Sequence, residues 1–136
     1  MNDTARADLL RELHHMQHHG GRMLMLVMTV RGTSDGLLVG INGKVFSLDY
    51  PHAGWLDFVR VHRFASFCRA KGLPLRKETW GKERVSRAAI GSVAADAVQT
   101  IDECFSAVYD QSGQFGLELR GIGWQPSPNG AADVST

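Results

Sequence analysis

The spacing of apolar residues changes several times along the chain, and each change marks an element. Leu9, Leu13 and Met16, with Leu10 beside them, recur at three- and four-residue steps, which predicts a helix over residues 4–19. Asn2, Asp3 or Thr4 offers an oxygen to cap its first turn, and Gly20-Gly21 stops it. Met23 to Val30 is nearly all apolar, as in a strand covered on both faces. After a Gly32–Gly36 loop, Leu37–Ile41 and Lys44–Tyr50 read as two further strands. In the last of these, Phe46, Leu48 and Tyr50 alternate with Val45, Ser47 and Asp49. Asn42-Gly43 between them is the composition of a two-residue type I′ turn, which needs positive φ at both central positions. Pro51 closes the third strand.

Helical spacing returns from about Ala53 to Ala70, where Trp55, Phe58, Val61, Ala65 and Cys68 form a stripe that Val59, Phe64 and Phe67 widen. So wide an arc predicts cover by the sheet on one side and by another helix or a partner on the other. Residues 73–82, with Pro74 and Gly81, read as a loop or hairpin entry, and Glu83–Ile90 as an edge strand. Ser92 offers a cap to a third helix, whose apolar face is made by Ala94, Val98, Ile101, Phe105 and Val108. Phe115, Leu117 and Leu119 alternate with Gly116, Glu118 and Arg120, which predicts a half-buried strand with a bulge or bend at Gly121 and Gly123 before Trp124. The tail at 125–136 is rich in Pro, Gly and Ser, the composition of a disordered segment. The expectation is one α+β domain over residues 1–124, an antiparallel meander flanked by helices in the order α-β-β-β-α-(β)-α-β.

Composition agrees with one globular domain: 136 residues, 43% hydrophobic and 21% charged. No apolar run is long enough to span a bilayer, and the start of the chain lacks the basic-then-apolar order of a secretory signal. Cys68 and Cys104 fall on helical apolar stripes, where buried, reduced thiols are expected. A cytoplasmic location follows. The net charge of +1 conceals an asymmetry: seven Lys/Arg against two Asp/Glu over residues 69–91, and one against six over 92–136. Arg76, Lys77, Lys82, Arg84 and Arg87, with Trp80 among them, are therefore the candidates for contact with nucleic-acid phosphates. The acidic third helix is the competing destination for that charge, within the fold or across a dimer.

Other chemistry is sparse. His14/His18 and His15/His19 each share a helix face at i,i+4, as two metal ligands would, but no further ligands accompany them. Neither cysteine has a histidine at a helical neighbour position, and no Gly-x-Ser-x-Gly elbow or phosphate-binding glycine loop occurs. These absences point away from an enzyme, a metal or a cofactor. They favour a non-enzymatic domain that holds a partner polypeptide through Trp55, Phe58, Val59 and Trp80.

In three stretches the chain resembles the type III secretion chaperone-like domains, including the YbjN-like proteins. These are the hairpin GLLVGINGKVFSLDY at 36–50, the helix end FASFCRAKGLP at 64–74, and the final helix VAADAVQTIDECFSAVYD at 93–110. The likeness runs over roughly residues 5–110; the strand at 115–124 and the basic loop at 69–87 are additions to the pattern. It implies a bacterial, usually homodimeric, chaperone-like or regulatory protein that binds another polypeptide on a sheet face and adjoining helix.

Overall fold

The computed structural model describes residues 1–18 and 25–123. In chain order these form α1 (Asp3–His18), β1 (Met25–Val30), β2 (Gly36–Asn42), β3 (Val45–Pro51), α2 (Phe58–Ala70), β4 (Leu75–Trp80), β5 (Glu83–Gly91), α3 (Ala94–Tyr109) and β6 (Leu117–Ile122). The strands make one six-stranded antiparallel sheet in the order β4-β5-β3-β2-β1-β6, and the fold is α+β as the patterning predicts. His19, Gly20, Gly21, Trp124 and the tail at 125–136 lie outside the described residues.

Asn2 caps α1, its Oδ1 accepting the Ala5 N–H at 2.7 Å. At the end of α3, Asp110 takes the left-handed conformation (φ 58°) usually left to glycine, and the N–H groups of Asp110 and Gln111 close the last turn on Ser106 and Phe105. Ser92 does not cap α3; Val93 stands at that position with no side-chain cap.

The first hairpin turns one residue later than its composition suggests. Asn42 pairs with Val45, so the two-residue loop is Gly43-Lys44. Only its first position, Gly43, has positive φ (64°), the pattern of a type II′ turn, which asks for glycine there and nothing special at the second residue. The same dipeptide makes a second hairpin: Trp80 pairs with Glu83 around Gly81-Lys82, with Gly81 again at φ 64°. Residues 75–80 are thus a strand, and β4 is the edge. β5 lies inside the sheet between β4 and β3. β6 pairs regularly with β1 through Gly121 and Ile122, with no bulge; an irregularity falls instead between Phe46 and Ser47, opposite β5.

Every helix packs on one face of the sheet. Leu26, Met28 and Val30, Leu37, Val39 and Ile41, Phe46, Leu48 and Tyr50, and Ala88 and Ile90 point into one core with Leu9, Leu13 and Met16 of α1, Phe64, Phe67 and Cys68 of α2, and Val98, Ile101, Phe105 and Val108 of α3. The Tyr50 and Phe64 rings stack at 5.9 Å, and the Tyr109 hydroxyl donates to the Gly36 carbonyl at 2.6 Å. Burial pushes the Cys68 thiol up to about 11 and the Cys104 thiol well above its ordinary value, so both are inert as nucleophiles.

Among the described residues β1 is therefore covered on one face only. Met25, Val27 and Thr29 alternate with the core residues and are half-buried by their neighbours on β2 and β6, which explains an all-apolar run without a second layer. On this open face the centre of the sheet carries an ion network in place of a hydrophobic cover. Asp49 is 0% exposed, and its carboxylate accepts from Arg87 Nε at 3.0 Å, from Arg87 Nη2 at 3.3 Å and from the Ser47 hydroxyl at 3.3 Å. Arg87 Nη1 donates to Glu78 at 3.3 Å, and the guanidinium lies over the Trp80 ring at 5.1 Å. Gly40 leaves the space for this: a Cβ there would stand 2.7 Å from Arg87 Nη2 and 2.8 Å from Ser47 Oγ.

Burial raises the Asp49 carboxyl from 3.8 to about 6, outweighing the pull of Arg87 in the other direction. Between pH about 4 and 6 the folded protein holds a proton that the unfolded chain has released, so this group's contribution to stability falls as pH rises through that window and is level above it. Asp49→Asn removes that slope. The stability difference between wild type and variant, read from urea unfolding at pH 4 and pH 7, shifts by on the order of 2–3 kcal/mol in favour of the variant at the higher pH.

Candidate partner-binding cleft

α2 begins five residues later than its apolar spacing predicts, and the reason is Asp57. Asp57 stands at the N-cap position but makes no side-chain cap. Its carboxylate reaches back instead, accepting the Ala53 N–H at 2.8 Å and the Tyr50 hydroxyl. The Asp57 N–H returns to the Gly54 carbonyl at 3.3 Å, and the His52 N–H donates to Arg84 O at 2.9 Å. Residues 52–57 are thereby stapled as a compact loop to β3 and β5.

The staple turns a row of large apolar residues outward. Trp55 is 85% exposed, Leu56 61%, Phe58 63% and Val59 61%, while only Phe64, Phe67 and Cys68 of α2 are fully buried and Val61 is partly so. The wide arc is thus covered at its C-terminal half by α3 and the sheet and left bare at its first turn. Exposure of four large apolar residues in one short stretch makes this row the candidate interaction surface.

Facing this row is the β4–β5 hairpin. Lys77, Lys82, Glu83 and Arg84 make one wall of a cleft of about 450 Å³ whose other wall is His52, Trp55, Asp57, Phe58 and Val61. The His52 Nε2 lies 2.8 Å from the Ser86 hydroxyl. Burial holds its imidazole below the ordinary value; Asp57 opposes that shift and Lys77 and Arg84 reinforce it. Burial, then the bond to Asp57, pushes the Tyr50 phenol far up, so it remains a donor.

The basic segment divides between the two faces of the sheet. Arg76 and Arg87 are cross-strand partners on the open face, where Glu78 and Asp49 pair with them, and Trp80 stands there too under Arg87. Trp80 is therefore not part of the surface formed by Trp55, Phe58 and Val59. Lys77, Lys82 and Arg84 face the cleft and have no ion pair among the described residues. The acidic helix does not take up their charge. Asp102 pairs with Arg6, Glu103 with Lys71, and Asp110 with Arg63 at 3.0 Å. These three acids are thus paired with cations outside the hairpin, and of the basic segment 69–91 it is Lys71 that reaches the acidic helix. His14 and His18 join no group of three or more metal-ligating side chains among the described residues.

Sequence reasoning found Trp55, Phe58 and Val59, and separately Lys77, Lys82 and Arg84, but did not join them. It missed Leu56, Asp57 and His52. The available signal was Gly54 three residues before Asp57, a turn followed by a cap residue, which argues against helix through that stretch.

Comparison with protein-family models, with curated proteins and with solved structures finds no match. Among the described residues no helix is long and apolar enough to cross a membrane.

Replacing Asp57 with Ala leaves the Tyr50 hydroxyl and the Ala53 N–H without their acceptor. The expected cost is about 1–3 kcal/mol in urea unfolding, with faster hydrogen exchange confined to residues 52–58. Unchanged exchange there would show that the loop is held by something else.

Proposed function

We propose that this chain is a non-enzymatic protein-binding domain, chaperone-like or regulatory, related in kind to the type III secretion chaperone-like and YbjN-like proteins. It is cytoplasmic and works as a homodimer. It holds a partner polypeptide in the cleft between the 52–61 segment and the β4–β5 hairpin. The observation that carries this reading is the run of exposed Trp55, Leu56, Phe58 and Val59 beside three cations without ion pairs among the described residues. Aromatic anchors supply most of the energy of a protein interface, and charges at its rim choose the partner. The segment it fits is an acidic one with bulky apolar residues.

A display library of random peptides tests this directly. The expected selection is for sequences that combine Asp or Glu with Leu, Phe or Trp. Phe58→Ser is expected to weaken the selected peptides by about tenfold or more, whereas Arg120→Gln on the distant edge strand leaves them unchanged. No enrichment, or enrichment indifferent to Phe58, sinks the proposal, as does a protein that is monomeric by light scattering and takes no partner.

A nucleic-acid reading has one observation in its favour: an exposed Trp55 next to Lys77, Lys82 and Arg84 is also a platform for stacking a base. It requires retention of single-stranded DNA or RNA at low salt that falls steeply as salt rises.

A further inference from the structure

The open face of the sheet is hollowed at one end. The pairing of β3 with β5 shifts register between Phe46 and Ser47, next to the Gly43-Lys44 turn, and the paired side chains just beyond it, Ser47 and Ala89, are small. Around them lies a pocket of about 610 Å³. None of its lining residues belongs to the partner-binding cleft. Val45, Pro74 and Ala89 contribute apolar surface to it, and the polar side chains are few: Asn42, Ser47, Arg76 and Arg87.

The charged groups of this wall are all cations. The carboxylates that balance them, Asp49 and Glu78, are not among the lining residues. Arg87 is held in place on three sides, by Asp49 through Nε and Nη2, by Glu78 through Nη1, and by the Trp80 ring. A guanidinium has five N–H donors in a rigid fork, so two of those on Arg87 remain uncommitted after these bonds. Arg76, paired across the strands with Arg87, has 70% of its side chain exposed and forms an ion pair with Glu78 at 3.4 Å. A mostly apolar concavity of this size with a few convergent donors is the usual form of a small-molecule site. The perturbed Asp49 carboxyl, bonded to both Ser47 and Arg87, is the kind of neighbour such sites have.

We propose that this pocket binds a small organic acid, an apolar body bearing one carboxylate, with the carboxylate on Arg76 and Arg87 and the apolar body against Val45, Pro74 and Ala89. Size and hydrogen bonding both select for it. An inorganic anion leaves the apolar wall unfilled, and a molecule without a carboxylate lacks the two oxygens that match the uncommitted N–H donors of Arg76 and Arg87.

Titration of the ¹⁵N-labelled protein with octanoate and with 3-phenylpropanoate tests the assignment, with octanamide and hexyl phosphate as comparisons. At least one carboxylate is expected to saturate with a dissociation constant on the order of 1 mM or below, shifting the amides of Gly43, Val45, Ser47 and Ala89. Octanamide is expected to bind at least about fivefold more weakly than octanoate, and Arg76→Gln to cost the carboxylates a similar factor. Ala89 is exposed, so Ala89→Leu fills the pocket without touching the core and is expected to abolish the shifts in a protein whose spectrum remains dispersed. Absence of saturable shifts with both carboxylates, shifts that map elsewhere, or binding that survives both substitutions would overturn the proposal. Tighter binding of hexyl phosphate than of either carboxylate would overturn the choice of head group.

Discussion

Among the described residues the sheet has helices on one side only, so its other side is finished without a second hydrophobic layer, and much of this molecule follows from that constraint. The three helices take the alternating apolar residues of all the inner strands into one core. The residues between them, on the far face, have only their cross-strand neighbours for cover. At the centre the solution is ionic, with Asp49 sunk beneath Arg87 and Arg87 laid flat between two carboxylates and an indole. Such a cluster is stable only if each member keeps its partners, because removing one leaves a buried charge. The absent side chain of Gly40 is part of the arrangement, since any Cβ there would displace the guanidinium.

That network also decides how the basic stretch is used. By sequence, Arg76, Lys77, Lys82, Arg84 and Arg87 form one cluster beside Trp80. Once β4 and β5 pair, side chains alternate between faces, and the cluster separates into a neutralised pair on the open face and three cations on the helix side. The three meet the apolar loop that Asp57 staples outward. Aromatic and basic features that looked like rival indications of function are thus walls of one cleft, while Asp102, Glu103 and Asp110 are paired elsewhere, with Arg6, Lys71 and Arg63.

Much of the fold was legible because its elements announce themselves by period. α1, α3 and the strands β2, β3 and β6 lie within a residue or two of where apolar spacing puts them. The errors have a common physical origin: spacing reports what a residue suits, and does not report which competing bond it makes. Phe58 and Val59 continue the helical stripe of α2, yet Trp55 does not join the helix, because the Asp57 carboxylate is spent on Tyr50 and Ala53. Asn42-Gly43 has the composition of a type I′ turn, yet the strands register so that Gly43-Lys44 turns instead. β1 looks doubly covered because its outward residues are apolar, although neighbouring strands alone shelter them. The ion network could not be read at all, since Asp49, Glu78 and Arg87 come together only through strand pairing.

The edge position of β4 has a consequence of its own. A bare edge is a template on which another chain can lay a strand and begin a fibre, and proteins commonly disarm such edges with charge. β4 carries Arg76 and Lys77 at its middle, and the opposite edge, β6, carries Glu118 and Arg120. Lys77 therefore has two tasks, lining the cleft and guarding the rim of the sheet. A substitution that removes its charge would therefore act twice, altering the cleft and at the same time making the molecule more willing to polymerise.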